Sequence, residues 1–100
     1  MRRKPQGRWR KVSYIHWTPE NRCKGEILSY TYRHYPPGDR NFERCIGLAW
    51  CADCREYSGN MVHVPARREL PDLLANLPEW EREELRRSEV RLIEWLDGRR

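Results

Sequence analysis

The sequence lacks the features that several large classes of protein require. No stretch is apolar and long enough to cross a membrane, and no apolar segment follows the basic N-terminus as a secretory signal would require. There is no glycine-rich phosphate loop, no His-Glu-x-x-His motif and no internal repeat. We therefore expect a cytoplasmic protein without a membrane partner, and we favour a binding role over an enzymatic one.

Strong hydrophobicity is also missing. Of the 100 residues, 35% are charged and 38% are apolar, which is a polar balance for a globular chain. Five Trp and five Tyr offset this balance, because each aromatic side chain buries a large area. The composition predicts a single folded unit with a small, aromatic-rich core, to which a bound metal would add useful stability.

Acidic residues are absent from residues 1–11, which contain six basic ones, whereas residues 69–100 have a net charge of −3. Arginine dominates the basic residues, and its planar fork suits phosphate, although a G+C-rich genome would enrich arginine as well. We predict a disordered basic arm over residues 1–8. The predicted contacts to DNA or RNA are the basic side chains Arg2, Arg3, Lys4, Arg8, Arg10 and Lys11. A solvated tail without a partner is the alternative.

Runs of β-branched, aromatic and alternating apolar residues predict four strands, which are separated by clusters of turn-forming residues. The predicted strands cover residues 9–17, 26–35, 44–51 and 61–64, with turns at 18–25, 36–41 and 58–60. Residues 9–66 would thus form an antiparallel β module, with strand one joined to strand two as a hairpin.

The C-terminal region, residues 67–100, has helical periodicity. Leucines at positions 70, 73, 74 and 77 predict one helix, and a second is predicted from Pro78 to about Asp97. The expected fold is α+β: a small antiparallel sheet of three or four strands with a zinc knuckle at one end, followed by two helices. These helices would cover the sheet face that carries Ile46, Leu48 and Trp50.

Three of the four cysteines lie within residues 45–54, and two of them form the motif Cys51-Ala52-Asp53-Cys54. Disulfides are rare in the cytoplasm, so these residues are candidates for metal ligands, a redox pair or simply buried thiols. A hairpin of strands two and three would place Cys51 opposite Leu28 and Cys45 opposite His34. Cys23 would then lie near Cys51 and Cys54, while Cys45 would lie about 20 Å away at the far end of the strand.

Three sulfurs around one point need a fourth ligand, for which there are three candidates. The hairpin of strands one and two would bring His16 beside Ile27, at the same end of the sheet. His63 and Cys45 are the other candidates. Strict alternation puts His16 on the face opposite Cys51, so a local twist would be needed. We rank His16 first, and the predicted metal ligands are Cys23, Cys51, Cys54 and His16.

The Cys-x-x-Cys motif resembles half of a zinc ribbon, a small β module that holds zinc between two turns, and the resemblance covers residues 16–64. It implies a structural zinc ion. The sequence departs from the pattern in two ways: Arg55 stands where glycine is common, and the second half offers a lone Cys23. An iron–sulfur cluster and buried thiols without metal remain alternatives.

Two further functions stay open. Trp50-Cys51-Ala52-Asp53-Cys54 resembles the site of thioredoxin-like oxidoreductases, which implies that Cys51 begins a helix as the nucleophile and that Cys54 resolves the mixed disulfide. Gly59 and Pro65 around a β-like run argue against such a helix. The acidic C-terminal helix could instead serve a protein–protein adaptor. We favour a non-enzymatic zinc module that binds nucleic acid or another macromolecule through its arm and sheet loops.

Overall fold

The computed structural model of the protein describes residues 8–99, so the predicted arm lies outside the described residues except for Arg8, which is exposed. The chain forms four strands and then two helices, which confirms the predicted α+β fold. These elements are β1 (Arg10–Lys11), β2 (Leu28–Arg33), β3 (Arg44–Cys51), β4 (Glu56–His63), α1 (Glu79–Arg86) and α2 (Glu89–Asp97). Within the described range, no helix has the length and apolarity that a membrane crossing needs.

The four strands form one sheet in the order β1-β4-β3-β2. Strands β2, β3 and β4 are antiparallel neighbours, but β1 pairs with β4 in parallel, so the sheet is mixed. The predicted hairpin of strands one and two is therefore wrong. Only Arg10 and Lys11 pair, opposite Glu56 and Tyr57, and the chain then leaves the sheet. Composition indicated a strand here, but the partner of a strand depends on long-range packing.

Strands β2 and β3 form the predicted hairpin. The bounds of β3 agree with the prediction, and the register differs from it by one residue: Leu28 pairs with Trp50, and Cys45 pairs with Arg33. This shift leaves Cys51 at the end of the sheet where Cys23 precedes β2. The hairpin therefore keeps the predicted arrangement, with Cys45 and Cys51 at opposite ends of β3.

The chain reverses between β3 and β4 at residues 52–55, and the predicted turn at residues 58–60 is wrong. Strand β4 begins at Glu56 and passes straight through that segment. Gly59 pairs with Leu48, and a side-chain Cβ there would lie 2.5 Å from Oε2 of Glu89, the first residue of α2. The glycine thus leaves room for the Glu89 carboxylate and lies within a strand, not in a turn.

The helical region has two helices, but both lie within the predicted second helix, and the predicted helix over the leucines at 70–77 is wrong. Residues 73–77 form turns, because Pro71 and Pro78 leave too short a segment between them. Leu74 is nevertheless fully buried. The predicted continuous helix over residues 78–97 is interrupted at Arg87–Ser88, where the Ser88 hydroxyl accepts a hydrogen bond from the backbone N–H of Arg91 at 3.3 Å.

The core lies between α2 and one face of the sheet. The buried apolar side chains of α2 pack against aromatic and aliphatic side chains of β2 and β3, which confirms the predicted covered face. The members from these elements are Tyr30, Tyr32, Leu48, Trp50, Leu92, Ile93 and Leu96. The indole N–H of Trp50 also donates to Asp97 at 3.1 Å. Helix α2 thereby fixes the residue that precedes Cys51.

Candidate metal centre

Four potential metal ligands meet at one end of the sheet. A ring nitrogen of His16 and the sulfurs of Cys23, Cys51 and Cys54 all lie within 4.8 Å of one another; these four residues are called the metal cluster below. The Sγ atoms of Cys23 and Cys51 are 3.7 Å apart. A disulfide would need about 2.05 Å, whereas two thiolates on one tetrahedral zinc ion lie about 3.8 Å apart. The cluster can hold a metal ion.

The topology explains why these residues meet. Cys51 ends β3, and Cys54 lies in the following turn, residues 52–55, called the knuckle turn below. His16 and Cys23 belong to the connection from β1 to β2, residues 12–27, called the crossing loop. Because β1 and β2 lie at opposite edges of the sheet, the crossing loop has to span it, and the hydrogen bond from the His16 N–H to Glu56 holds the loop at the end where β3 finishes and β4 begins. These are the four residues predicted from the sequence, although the predicted hairpin that brought His16 there is wrong. Their binding of a metal stays a prediction.

Each sulfur of the metal cluster receives an N–H group. The backbone N–H of Gly25 donates to Cys23 at 3.3 Å, and the Asn21 side-chain amide donates to Cys54 at 3.7 Å. The backbone N–H groups of Asp53 and Cys54 are directed at the Cys51 sulfur. Such donors stabilise a thiolate, which is the form that binds a metal ion.

The Cys51 thiol is fully buried. Burial raises its pKa to about 11, although the backbone N–H groups of Cys54 and Asp53 act in the opposite direction. A reactive nucleophile needs a lowered thiol pKa, usually at the start of a helix, whereas Cys51 ends a strand. The thioredoxin-like reading of Cys51 and Cys54 therefore has no support in the geometry. A cation among the sulfurs would favour their ionised forms instead.

His16 has an unusual backbone and an unsatisfied ring. Its φ of +65° lies in the left-handed region, which costs a non-glycine residue roughly 1 kcal/mol. Its backbone N–H donates to the Glu56 carboxylate at 2.9 Å, which holds this conformation. Its Nε2 atom is buried and has no hydrogen-bond partner within residues 8–99. Buried polar atoms are normally paired, so an unpaired imidazole nitrogen among three sulfurs fits a metal ligand.

Glu56 fixes the position of the crossing loop. Its side chain is only 1% exposed, and it accepts hydrogen bonds from the His16 backbone and from the Arg10 guanidinium at 2.7 Å. Burial by itself would raise the pKa of Glu56, but the His16 N–H, Arg10 and Asn21 together hold it below its ordinary value. The carboxylate is thus ionised at neutral pH. Sequence reasoning missed Glu56, because its partners lie 40 and 46 residues away.

The knuckle turn explains one departure from the zinc-ribbon pattern. Arg55 has φ +63°, so it occupies a left-handed position that favours glycine. Its guanidinium lies 4.9 Å from the Trp9 ring centroid, a cation–π contact that offsets part of the backbone cost. Glycine is needed instead in the crossing loop, since a Cβ at Gly25 would collide with the carboxylate of Asp53.

The other two candidates for the fourth ligand lie elsewhere. Cys45 is fully buried at the opposite end of β3, where its Sγ is 3.4 Å from Nη1 of Arg33. His63 ends β4, and its Nε2 is 3.7 Å from the Glu43 carboxylate. Neither residue belongs to the metal cluster, so the geometry favours His16 over both.

The predicted nucleic-acid residues are only partly described. Arg10 is paired with Glu56, and Lys11 Nζ lies 3.0 Å from a Glu89 carboxylate oxygen, which raises the Lys11 pKa by hydrogen bonding. Arg8 is exposed, whereas Arg2, Arg3 and Lys4 lie outside the described residues. Of the described candidates, two therefore already have acidic partners.

The metal cluster thus joins two separate loops, with donors on every sulfur and a buried imidazole nitrogen. Three cysteines and one histidine are a frequent ligand set of structural zinc sites. Comparison of the chain with protein-family models, with curated proteins and with solved structures gave no match.

Proposed function

We propose that the protein is a small non-enzymatic module whose fold is completed by one structural zinc ion, and that it binds nucleic acid. The observation that carries the zinc proposal is the convergence of four ligand atoms within 4.8 Å. A set of four protein ligands leaves no open position for substrate, which favours a structural over a catalytic ion. A common iron–sulfur cluster would use four cysteines, whereas this cluster offers three and a histidine.

Zinc would serve to hold the crossing loop. Residues 12–27 contain no helix or strand, and none of them belongs to the core cluster or to the partly buried apolar side chains packed against it. Ligands at His16 and Cys23 would attach this loop to the knuckle turn at two points. Zinc binding contributes about 10–16 kcal/mol in zinc-finger peptides, which is large beside the stability of a 100-residue domain.

The charge distribution supports a nucleic-acid partner. Residues 8–24 contain five basic residues and one acidic residue, whereas acidic residues dominate the helical region. Arg22 lines an open cleft of about 480 Å³ beside Cys54, together with Arg10 and Asn21. Two acidic residues, Glu20 and Glu56, also line it, and Glu56 is paired with Arg10, so the lining has no net charge. A phosphate partner is therefore supported by the exposed basic residues Arg8, Arg22 and Lys24 of this segment, which outnumber its one acidic residue, Glu20.

The zinc proposal is tested by metal analysis of protein purified without chelator or affinity metal. We expect one zinc per chain, retained in Cys45→Ala and lost in Cys54→Ser. Thiol counting should show Cys23, Cys51 and Cys54 protected until a chelator is added. Metal-free protein that folds with these thiols freely reactive would contradict the proposal.

The nucleic-acid proposal is tested separately, by titrating labelled DNA and RNA oligonucleotides with zinc-loaded protein. We expect binding that weakens steeply between about 50 and 200 mM salt, as phosphate contacts require. Undetectable affinity for both nucleic acids at the lower salt concentration would contradict it.

A protein–protein adaptor is the second candidate, because one observation favours it. Trp80 is 65% exposed on α1, an acidic helix without a buried residue. This function predicts no affinity for nucleic acid. It also predicts a protein partner that binds the acidic helix α1 and is lost in Trp80→Ala. The thiol oxidoreductase would require disulfide reductase activity that Cys51→Ser removes, and we expect none.

A further inference from the structure

Two aromatic side chains project from the crossing loop on either side of His16. Tyr14 is 67% exposed and Trp17 is 75% exposed, and their ring centroids lie 5.5 Å apart with the planes tilted by 47°. Trp9 and Trp50, in contrast, pack on or in the core. Tyr14 and Trp17, called the aromatic pair below, therefore form an apolar surface that contributes little to folding.

The aromatic pair has a rigid support. His16 lies between the two residues, its backbone is bonded to buried Glu56, and its ring belongs to the metal cluster. Beyond Trp17, the backbone N–H of Asn21 closes a turn with the Thr18 carbonyl at 3.0 Å. Side chains presented from such a fixed loop lose little conformational entropy when they bind a ligand.

We propose that the aromatic pair stacks on unpaired bases, so that the nucleic acid bound by this protein is single-stranded. The proposal rests on the nucleic-acid function above and makes it specific. Aromatic faces bind any unpaired base, whereas the bases of a duplex are already stacked on each other. Phosphates would be held by the exposed side chains of Arg22 and Lys24 in the same loop.

Charge distinguishes this surface from the other exposed tryptophan. The crossing loop carries Arg22 and Lys24 against Glu20 and Glu26, and the exposed Arg8 lies on the chain before it. Trp80 has a similar exposed fraction, but α1 has four glutamates and two arginines, a net charge of −2. Repulsion between this acidic helix and phosphate disfavours stacking at Trp80, so Trp80 is a matched control for Trp17.

The experiment measures affinity for an oligothymidylate of about 15 nucleotides and for a duplex of the same length, by fluorescence anisotropy with full-length, zinc-loaded protein. We expect the single strand to bind at least about tenfold more tightly than the duplex. Trp17→Ala and Tyr14→Ala should each weaken single-strand binding roughly 5- to 100-fold. Trp80→Ala should leave it within about twofold, and the salt dependence should persist in all variants because the phosphate contacts remain.

The outcomes separate this inference from the function on which it rests. If the wild type binds neither single strands nor duplex, the nucleic-acid function fails and the inference fails with it. If it binds nucleic acid but prefers the duplex, only the inference is overturned. The same holds if the double variant Tyr14→Ala with Trp17→Ala binds the single strand as tightly as the wild type does. Zinc content is measured for every variant. If Trp17→Ala loses zinc, Trp17→Phe is measured in its place. Single-strand affinity retained by Trp17→Phe supports stacking, whereas affinity lost while zinc stays bound overturns it.

Discussion

The two ends of β3 carry the same residue in different surroundings. Cys45 and Cys51 are both fully buried, but Cys51 belongs to the metal cluster and Cys45 lies against Arg33. The Arg33 guanidinium donates to backbone carbonyls from both flanking loops and lies 4.3 Å from the Phe42 ring centroid. Its acceptors are the carbonyl oxygens of Phe42, Val64, Pro65 and Arg68, at 3.2, 2.9, 2.8 and 2.7 Å.

The comparison indicates that each end of this small sheet is organised by its own polar centre. At the Cys45 end, the five N–H donors of a guanidinium gather loop carbonyls and need no other ligand. At the Cys51 end, three sulfurs and an imidazole gather around a point where a cation would satisfy them all. A thin core leaves both sets of loops without enough apolar contact, so a polar centre must hold each one. The four predictions that follow test this difference.

The largest effect is expected from Cys51→Ser compared with Cys45→Ser. A serine hydroxyl is a poor zinc ligand, so Cys51→Ser should lose the metal and with it the order of the crossing loop. Cys45→Ser should keep one zinc per chain, and its free energy of unfolding should fall by only about 1–3 kcal/mol, because a hydroxyl replaces a buried thiol. Metal analysis and hydrogen exchange of residues 12–27 provide the measurement. Equal metal loss in both variants would contradict the separation of the two ends.

Arg33→Lys should destabilise only the Cys45 end of the sheet. A lysine ammonium cannot reproduce the guanidinium fork, so several loop carbonyls lose their donor. We expect a loss of about 2–4 kcal/mol in the free energy of unfolding, with zinc content unchanged. Urea unfolding of zinc-loaded protein measures it, and Arg44→Lys at an exposed position on β3 is the control. A variant that lost zinc would show that the two ends are coupled.

Glu56→Gln should lower the affinity of the metal cluster for zinc without removing a ligand. The amide cannot form the ion pair with Arg10 and is a weaker acceptor for the His16 N–H. Substitution of residues that orient metal ligands typically lowers metal affinity by about 10- to 100-fold, and we expect a loss of that size. Competition with a chromogenic chelator measures it, with the exposed Glu69→Gln as control. Unchanged affinity would mean that Glu56 does not position His16.

The smallest effect concerns the backbone of the knuckle turn. Arg55→Gly and Arg55→Ala both remove the contact with Trp9, but only glycine adopts a φ near +63° without strain. Arg55→Gly should therefore be more stable than Arg55→Ala by about 1 kcal/mol, as measured by thermal unfolding of zinc-loaded protein. Equal stabilities would argue against a strained turn.

Local sequence patterns predict much of the fold, and the predicted hairpin of β2 and β3 accounts for the position of the three sulfurs of the metal cluster. Alternation over β2 and β3 predicts their pairing closely enough to bring Cys23 towards Cys51 and Cys54. Since Cys54 follows Cys51 within a tight turn, a register error of one residue cannot move these sulfurs to the other end of the sheet. The prediction succeeded where the determining contacts lie within one hairpin of adjacent strands.

The failures concern contacts that are distant in sequence. Residues 9–17 resemble a strand, yet only two of them pair, since the chain leaves the sheet after Lys11 and the His16 N–H bonds to the Glu56 carboxylate instead. Ser58-Gly59-Asn60 resembles a turn until Glu89 of α2 is known to pack on the glycine. Nothing local identifies Glu56 or Arg33 as organising residues. Their roles depend on partners brought together only by the folded sheet.

Zinc K-edge X-ray absorption on the zinc-loaded protein tests the central claim most directly. The metal cluster predicts three sulfur ligands at about 2.3 Å and one nitrogen ligand at about 2.0 Å. The nitrogen contribution should disappear in His16→Cys if the new thiolate replaces the imidazole. A wild-type spectrum with four sulfurs would contradict the account, because Cys45 lies about 20 Å along β3 from Cys51. A spectrum dominated by oxygen ligands would show that the cluster does not bind the ion.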